Sequence, residues 1–390
     1  MNTYSGTKIL NSSKELSNEI KIILATKNWE KEQIYRFRYK IFKEELAKGL
    51  PLVMQKKKKI SDDLDNDSLL LYAKSHDSII GTLRITLSHI NDFPEWLTDI
   101  FSLKKVAPEL EPQQRVGLVT KLAIAPAYRG STLMYQFLVE FLKLTQEQNV
   151  EYVFSGCNPH LISMYERIGF RRFIKSNFTD PGYGLLVPIV LITSDLDHFK
   201  TVRSPAYRFL RTKNYHASFD SSKFLRIFPD AKEVLNSQLI SEEKLFTYIS
   251  SRIGASILNN TPIFNQLAIH ELKAFFHFGT IFHCSSGDAI ISKGELSNEL
   301  YIIISGTIAT ESHLLVAGQF FGGGLTKPLL QNDQIIAITD AEILVVSYQS
   351  FQKFRQLYHR ASETIIETIS DKLYDATYSI NQNINMEESI

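Results

Sequence analysis

Residues 116–173 decide the fold of the N-terminal part of the chain, and they read VGLVTKLAIAPAYRGSTLMYQFLVEFLKLTQEQNVEYVFSGCNPHLISMYERIGFRRF. A buried strand over Val116–Ile124 runs into Tyr128-Arg129-Gly130, where a helix is predicted to begin. A second strand ends at Cys157, and a short helix then carries Tyr165. A strand that leads directly into a helix leaves free backbone N–H groups at the positive end of the helix dipole. The stretch therefore predicts an anion-binding turn beside a slot between two strands.

The flanking sequence alternates between strand and helix patterns. Apolar residues recur at helical spacing in two segments and follow strand patterns in six others. Helices are predicted over 32–46 and 131–147, and strands over 19–26, 69–74, 78–87, 116–124, 151–155 and 185–193. Strands interleaved with helices indicate a mixed α/β sheet flanked by helices.

The pattern changes twice in the C-terminal half. Helices and polar connectors follow residue 199, and from 264 to 350 short strand patterns are separated by glycines, which indicates a β-roll. In the tail, apolar residues recur at coiled-coil spacing at Ile366, Ile369, Leu373, Ala376 and Ile380. Only two heptads are present, so packing against its own domain is favoured, and an oligomer through this helix stays open. The prediction is an α+β and α/β two-domain protein: 15–200, a helical linker 201–260, a β-roll 261–350 and a terminal helix 351–390.

Composition narrows the function classes. A chain of 390 residues is too long for one ordinary core, and its net charge of +1 gives no global drive toward nucleic acid. The two cysteines, Cys157 and Cys284, lie in different predicted domains and imply no disulfide framework. The N-terminus lacks the apolar core of a signal peptide, and the longest apolar run, 185–193, is too short to span a bilayer. We expect a cytoplasmic protein without a metal site or a transmembrane segment.

Short motifs occur in a characteristic order along the N-terminal half. They are Arg38-Tyr39-Lys40-Ile41-Phe42, Asp62-x-x-Asp65, Gly81-Thr82-Leu83-Arg84, Lys121-Leu122-Ala123-Ile124, Tyr128-Arg129-Gly130, Cys157-x-Pro159-His160, Tyr165 and Gly169-Phe170. With these motifs, residues 15–200 resemble the GNAT acyltransferase superfamily, in particular its branch of N-acyl amino acid synthases and acyl-homoserine-lactone synthases. The resemblance implies a bacterial enzyme that moves an acyl group from a thioester to the amine of a small acceptor such as an amino acid.

The donor loop departs from the superfamily pattern. That pattern is Arg/Gln-x-x-Gly-x-Gly/Ala, whereas this chain has Thr132 and Met134 where small residues let the backbone close on a pyrophosphate. A carrier-protein thioester presents a single phosphodiester, so the loop favours acyl carrier protein as donor and partner, and acyl-CoA stays open. The resemblance assigns donor binding, including an oxyanion site on the strand, to Leu122, Ile124, Arg129, Gly130 and Ser131.

The resemblance also suggests catalytic and acceptor-binding residues. Tyr165 stands where the superfamily often places the proton donor for the leaving thiolate, although a core tyrosine would give the same pattern. Candidates for the base or the amine contact are Asp62, Asp65 and His160, and His160 would also suit a capping or packing role.

For the acceptor carboxylate the candidates are Arg38 and Arg84, and Arg84 would equally pair with an aspartate. Cys157 invites a covalent mechanism, but no His–acid partnership accompanies it, so a small buried side chain is favoured.

Residues 261–350 resemble a cyclic-nucleotide-binding roll. The resemblance rests on Gly287-Asp288-Ala289-Ile290-Ile291, Gly294, Tyr301-Ile302-Ile303-Ile304-Ser305-Gly306 and Gly318-Gln319-Phe320-Phe321-Gly322. Gly323 stands where that family has its ribose-binding Glu, and no arginine occurs from 253 to 354 to hold the cyclic phosphate.

Lys327 and the backbone of Gly322-Gly323-Gly324 are the remaining candidate donors, so the sequence disfavours cyclic nucleotide as a ligand. The predicted function is an N-acyltransferase with a regulatory or docking roll. The alternatives are a cyclic-nucleotide-regulated protein, a small-molecule acetyltransferase using acetyl-CoA, and a non-catalytic binding scaffold.

Overall fold

The structure is a computed structural model that describes residues 20–111, 113–180, 182–211 and 219–370. The N-terminal module is a mixed eight-stranded sheet covered by helices. A helical segment connects it to an antiparallel β-roll, and further helices close the roll at its C-terminal end. This is the fold class predicted from the sequence.

The N-terminal sheet is antiparallel except at one central pair of strands. Its strands lie in the order β1-β2-β3-β4-β5-β8-β6, and β7 pairs with β8. They are β1 (Lys21–Leu24), β2 (Leu69–Ser75), β3 (Ser78–Ser88), β4 (Val116–Ile124), β5 (Tyr152–Cys157), β6 (Arg171–Arg172), β7 (Phe178–Asp180) and β8 (Gly184–Ile192). Strands β4 and β5 form the single parallel pair.

The parallel pair separates soon after it forms. Its register contains only Gly117 opposite Val153 and Leu118 opposite Phe154. The hydroxyl of Ser155 then donates to the Val119 carbonyl at 2.7 Å, so the last bridge between the strands is a side chain. Beyond this point the two strands no longer pair. The slot between them is where the site described below lies.

Helices pack on the sheet and also form the linker. They are α1 (Asn28–Tyr39), α2 (Leu52–Lys57), α3 (Glu95–Ile100), α4 (Leu103–Val106), α5 (Leu133–Glu147), α6 (Ile162–Ile168), α7 (Leu196–Thr201), α8 (Tyr207–Leu210), α9 (Ser221–Ile227), α10 (Glu242–Ile253) and α11 (Ala255–Asn260). The prediction of one helix over 32–46 was wrong in detail, because α1 continues as a π-helix over Lys40–Glu45. Helix α5 begins two residues later than predicted, since Ser131 forms the turn and its hydroxyl accepts from the Leu133 N–H.

The roll consists of ten short strands in three sheets. They are β9 (Thr280–Cys284), β10 (Ala289–Ile291), β11 (Leu296–Ser297), β12 (Glu299–Ser305), β13 (Thr307–Ala309), β14 (Leu314–Val316), β15 (Phe320–Gly322), β16 (Leu329–Leu330), β17 (Ile335–Ala337) and β18 (Ala341–Ser347). The sheets are β10-β17-β13-β14, β11-β16 and β15-β12-β18-β9. Alternation along β12 sends Leu300, Ile302 and Ile304 toward the covering helices and Tyr301 and Ile303 toward the interior.

Four helices, α12 to α15, pack around the roll. They are α12 (Pro262–Asn265), α13 (Ile269–His277), α14 (Tyr348–Leu357) and a helix α15 over 359–370. Within α15, Ile369 is buried against the roll's own helical cluster and Ile366 packs beside it. The other predicted seam residues, Leu373, Ala376 and Ile380, lie outside the described residues. In the part of the chain that the structure describes, no helix is long and apolar enough to cross a membrane.

The two modules share one apolar core. Buried side chains of the sheet and of the roll interior belong to a single cluster that includes Cys157 and Tyr301. A buried ion pair lies beside this core: Arg172 Nη2 is 2.9 Å from Glu166 Oε1, with side-chain exposures of 7% and 0%. Arg172 also donates to the carbonyls of Leu235 in the linker, at 2.5 Å, and Ile281 in the roll, at 2.6 Å. One side chain thus joins the three parts of the chain.

Glu166→Ala is expected to destabilise the whole protein. It leaves the Arg172 guanidinium buried without its counter-charge, a loss of about 3–5 kcal/mol in the free energy of unfolding. Urea titration followed by circular dichroism measures this loss. Glu140→Ala is the matched control, because Glu140 pairs with Lys143 on the exposed face of α5 and contributes at most about 0.5 kcal/mol. Equal losses for the two variants would contradict the prediction.

Candidate functional site

A cavity of about 650 Å³ opens where β4 and β5 separate. One connected apolar group lines it, consisting of Phe93, Leu97, Phe101, Leu118 and Phe178. A hydrogen-bonded polar group of Asp62, Arg84, Thr120 and Lys121 lines it as well. The cavity therefore offers both a surface for an aliphatic chain and a surface for a charged molecule.

The polar group is built around the carboxylate of Asp62. Its Oδ2 is 3.0 Å from Lys121 Nζ, and its Oδ1 pairs with Arg84 Nη1. Arg84 also donates from Nε to the Thr120 hydroxyl at 2.8 Å, which fixes the guanidinium plane. Lys121 additionally donates to the Tyr183 hydroxyl at 3.2 Å. Two cations and one carboxylate thus face the cavity in fixed positions.

This environment determines the charge of Asp62. Burial raises the pKa of its carboxyl, but the opposing charges and hydrogen bonds of Lys121 and Arg84 outweigh burial, so the pKa lies below its ordinary value. A carboxylate with a lowered pKa is a weak proton acceptor. Asp62 therefore suits binding of an ammonium group better than the role of general base that the sequence suggested.

Asp65 and Arg38 lie behind this group and do not line the cavity. Arg38 is fully buried, and its Nη1 is 2.8 Å from Asp65 Oδ1. The same Asp65 oxygen is 3.4 Å from Arg84 Nη1. The structure therefore does not place Asp65 as a catalytic residue or Arg38 as an acceptor ligand at the cavity; instead Arg38 pairs with Asp65, and Asp65 contacts Arg84 from behind.

Tyr165 and Cys157 both line the cavity. Burial raises the pKa of the Tyr165 phenol, and a nearby thiol adds to the effect, so the phenol stays protonated at neutral pH. Its ring makes a T-shaped contact with Phe170 at 5.4 Å between centroids. Burial likewise raises the pKa of the Cys157 thiol, which disfavours the nucleophilic thiolate.

His160 is not part of the cavity wall. It lies on the short 3₁₀ turn Pro159–Leu161, and its Nδ1 is 3.1 Å from Glu299 Oε1 of the roll. The hypothesis that His160 deprotonates the acceptor amine stays a prediction, and this position does not support it. The sequence analysis also allowed a packing role for His160, and the structure places its ring at the interface with the roll.

The predicted donor loop lies outside the cavity, whose wall reaches only Leu122 of the proposed donor set. The side chain of Ile124 does not line the cavity, and the Ile124 carbonyl accepts a hydrogen bond from Arg129 Nε at 3.1 Å. Arg129 Nη1 is also 2.5 Å from Glu45 Oε1. Gly130 has a φ of 77° with open space around it, and the Ser131 hydroxyl donates to the Tyr128 carbonyl at 2.7 Å. The loop holds its own conformation through these bonds.

Lys121 and Tyr183 are two of the cavity residues that the sequence did not identify as site residues. Lys121 has a φ of 53° and lies in a bulge, where two residues of β4 oppose Leu83 alone. That bulge turns the ammonium into the cavity, and a strand pattern carries no signal for it. Tyr183 lies in the hairpin between β7 and β8 and contacts the Phe42 ring edge-on at 4.7 Å.

The glycine run of the roll already uses one of its backbone donors within the roll. The Gly323 N–H donates to the Glu299 carbonyl at 2.8 Å. Gly322 has a φ of 82°, and a Cβ there would lie 2.5 Å from the same carbonyl oxygen. Lys327 is exposed beyond this run. Among the described residues, no group of three or more His, Cys, Asp or Glu side chains is placed to hold a metal ion.

Comparison with known proteins separates the chain into two regions. Residues 33–195 match the family model described as N-acyl amino acid synthase FeeM. Residues 281–358 match the family model of the cyclic nucleotide-binding domain. The chain is thus similar to a FeeM-type synthase over one region and to a cyclic nucleotide-binding domain over the other. A search of curated proteins gave no match.

Solved structures resemble the two regions separately. The structure of FeeM, an N-acyl amino acid synthase from uncultured soil microbes, is 11% identical, and the match covers 49% of this chain and 97% of that one with a TM-score of 0.38. A cyclic nucleotide-binding domain from Methylobacillus flagellatus KT is 11% identical, and the match covers 37% of this chain and 85% of that one with a TM-score of 0.31.

The Cys157 thiol is expected to be inert in the folded protein. Both cysteines are buried and burial raises both thiol pKa values, so titration with a disulfide reagent at pH 8 should detect no rapidly reacting thiol. The same titration in urea should detect two thiols, which is the internal control. Rapid modification of one thiol in native protein, with loss of any acyl transfer, would restore the covalent mechanism.

Proposed function

We propose that the protein is a GNAT-type N-acyltransferase that moves an acyl group from a thioester to the amine of an amino acid. The observation that carries the proposal is the cavity itself, because it combines an apolar surface with a carboxylate held between two cations. Its position within the region that matches the N-acyl amino acid synthase model supports the choice of acceptor.

The charged group is suited to a zwitterion. Arg84 and Lys121 can hold the acceptor carboxylate, and the ionised Asp62 can hold its ammonium group. Four further carboxylates line the cavity and favour a positively charged amine near them: Asp63, Asp67, Asp92 and Asp180. Because Asp62 is a weak base, solvent that enters the cavity takes the first proton from the ammonium group of the acceptor.

The acyl transfer then needs a polarised carbonyl and a protonated leaving group. The bulge at Lys121 and Leu122 interrupts the regular β3–β4 ladder, and its backbone N–H groups are the candidates for the oxyanion contact. The neutral amine nitrogen bonds to the thioester carbon, the carbon–sulfur bond breaks, and Tyr165 donates its proton to the departing thiolate. The second proton of the amine nitrogen then returns to the Tyr165 oxygen, whose raised pKa favours the protonated phenol.

For the donor we favour an acyl carrier protein over coenzyme A. Thr132 and Met134 occupy loop positions where a pyrophosphate needs small residues, whereas a single phosphodiester needs fewer backbone contacts. Arg129 is about one-third exposed and paired with Glu45, so it would have to exchange that carboxylate for the donor phosphate. Lauroyl carrier protein and lauroyl-CoA offered in parallel distinguish the two donors.

Purified protein supplied with these donors and an amino-acid mixture should release free thiol, measured with a chromogenic thiol reagent. Lys121→Met removes one charge-assisted hydrogen bond worth about 1.5–3 kcal/mol and should raise the acceptor KM about 10–100-fold. Lys143→Met is the matched control, since Lys143 lies on the exposed face of α5. Absence of turnover with both donors over a broad amine panel would favour the alternative of a non-catalytic scaffold.

Cyclic AMP and cyclic GMP at millimolar concentration are expected to leave the melting temperature unchanged. The roll has no arginine between residues 253 and 354, and the Gly323 N–H is already bonded. A ligand that binds the native state must raise the melting temperature. A rise of several degrees with either nucleotide would identify the roll as a nucleotide sensor.

A further inference from the structure

Glu299 of the roll lies against the outside of the acyl cavity wall. Its side chain is only 7% exposed, and its carboxylate accepts two hydrogen bonds and lies beside the His160 ring. Oε2 accepts from the Ser297 hydroxyl at 2.7 Å and from the Asn298 N–H at 3.0 Å, and Oε1 lies 3.1 Å from His160 Nδ1. Burial lowers the pKa of the His160 ring, which favours the neutral imidazole, and the tautomer with its proton on Nδ1 would face this carboxylate with an N–H donor.

The turn that carries His160 forms part of the cavity wall on either side of that residue. Asn158 and Leu161 both line the cavity, while the imidazole between them contacts the roll. The Asn158 amide donates to the carbonyls of Tyr183, at 2.8 Å, and Leu185, at 2.9 Å. Because Tyr183 also lines the cavity, the turn holds two walls together. A displacement of His160 would therefore move both.

The roll contacts the N-terminal module at a second point, through Glu295. Glu295 Oε2 is 3.8 Å from Lys48 Nζ, and a Cβ added at Gly184 would lie 3.4 Å from Glu295 Oε1. Gly184 directly follows Tyr183, so this contact also bears on a cavity wall. The roll segment 294–299 thus touches the N-terminal module behind both walls.

The remains of the nucleotide cassette hold this segment in place. Gly323 donates to the Glu299 carbonyl, and a Cβ at Gly324 would lie 2.4 Å from the Ser297 carbonyl oxygen. Strands β11 and β16 pair Ser297 with Leu329. The backbones approach so closely that only glycine fits. The glycine run is therefore explained by packing on the segment that supports the cavity.

We propose that Glu299 and His160 are positioning residues of the acyl-transfer site, through which the roll fixes the cavity walls that Asn158, Leu161 and Tyr183 form. The proposal rests on the proposed function for its kinetic readout. The roll then supports the cavity walls from outside. It thereby controls the position of the bound acyl chain.

The experiment compares Glu299→Ala with Glu299→Gln in the full chain, with Glu342→Ala as the matched control. Glu342 is a roll carboxylate that bonds the Tyr248 hydroxyl away from the cavity. The alanine variant should lower kcat/KM for thiol release about tenfold, because a wall displaced by less than an ångström misplaces the thioester. The glutamine variant keeps one acceptor oxygen, which can face either His160 or the Ser297 and Asn298 donors, so its loss should be smaller than that of the alanine variant, about threefold.

A second readout measures acyl-chain binding without turnover. Trp96 lines the cavity, and Trp29→Phe leaves Trp96 as the sole tryptophan. Terminally brominated dodecanoic acid should quench Trp96 fluorescence with about tenfold weaker affinity in Glu299→Ala. If the wild type shows no thiol release, the proposed function fails, while the quenching difference between variants still decides the positioning role.

Substitutions of His160 give an independent test should Glu299→Ala fail to fold. His160→Asn retains a side-chain N–H donor and should preserve quenching and the pH–rate profile, whereas His160→Leu should weaken both affinity and turnover about tenfold. Loss of turnover in His160→Asn with unchanged quenching would make His160 a base and overturn the proposal. Equal behaviour of Glu299→Ala and Glu342→Ala in quenching would also overturn it, because the contact would then be structural alone.

Discussion

The buried pair of Glu166 and Arg172 is the constraint on which the arrangement of the chain depends. A guanidinium taken out of water loses much free energy unless a counter-charge and hydrogen-bond acceptors lie close to it. Arg172 meets this requirement with one carboxylate of its own module and with carbonyls of the linker and the roll. Glu166 in turn accepts from the Ser237 N–H at 2.7 Å. The three parts cannot separate without stranding a buried charge, so the linker and the roll are held in one position relative to the sheet.

This constraint reaches the cavity through helix α6. Glu166 directly follows Tyr165, so anchoring the carboxylate also fixes the phenol that faces the cavity. On the other side of the slot, the buried Arg38–Asp65 pair holds Arg84 from behind. Charges that are fixed before a ligand arrives need no reorganisation when it binds. The two buried ion pairs, whose desolvation costs stability, therefore fix the geometry of the site. The apolar core between them excludes water.

The sequence predicted strand β4 with its bounds because its apolar pattern and the turn residues that follow are local signals. It also predicted that Asp62, Arg84 and Tyr165 would be functional candidates, and the structure places all three at the cavity. It could not predict the bulge at Lys121, because the φ of that residue is imposed by β3 rather than by its own preference. Nor could it place His160, whose partner Glu299 is distant in sequence. Local patterns thus predicted elements, and contacts between modules decided which polar residues face the site.

A cyclic-nucleotide-binding roll without the charged residues for its ligand would ordinarily suggest a lost function. The structure gives the same residues a physical reason to remain as they are. Gly322 and Gly324 are needed because carbonyls of the neighbouring segment occupy the space of a side chain. The Glu299 carboxylate lies 3.1 Å from His160 Nδ1, which gives the roll a polar contact with the turn beside the cavity. Fold resemblance therefore describes the architecture of the roll, whereas the role that we propose for it rests on its contacts behind the cavity walls.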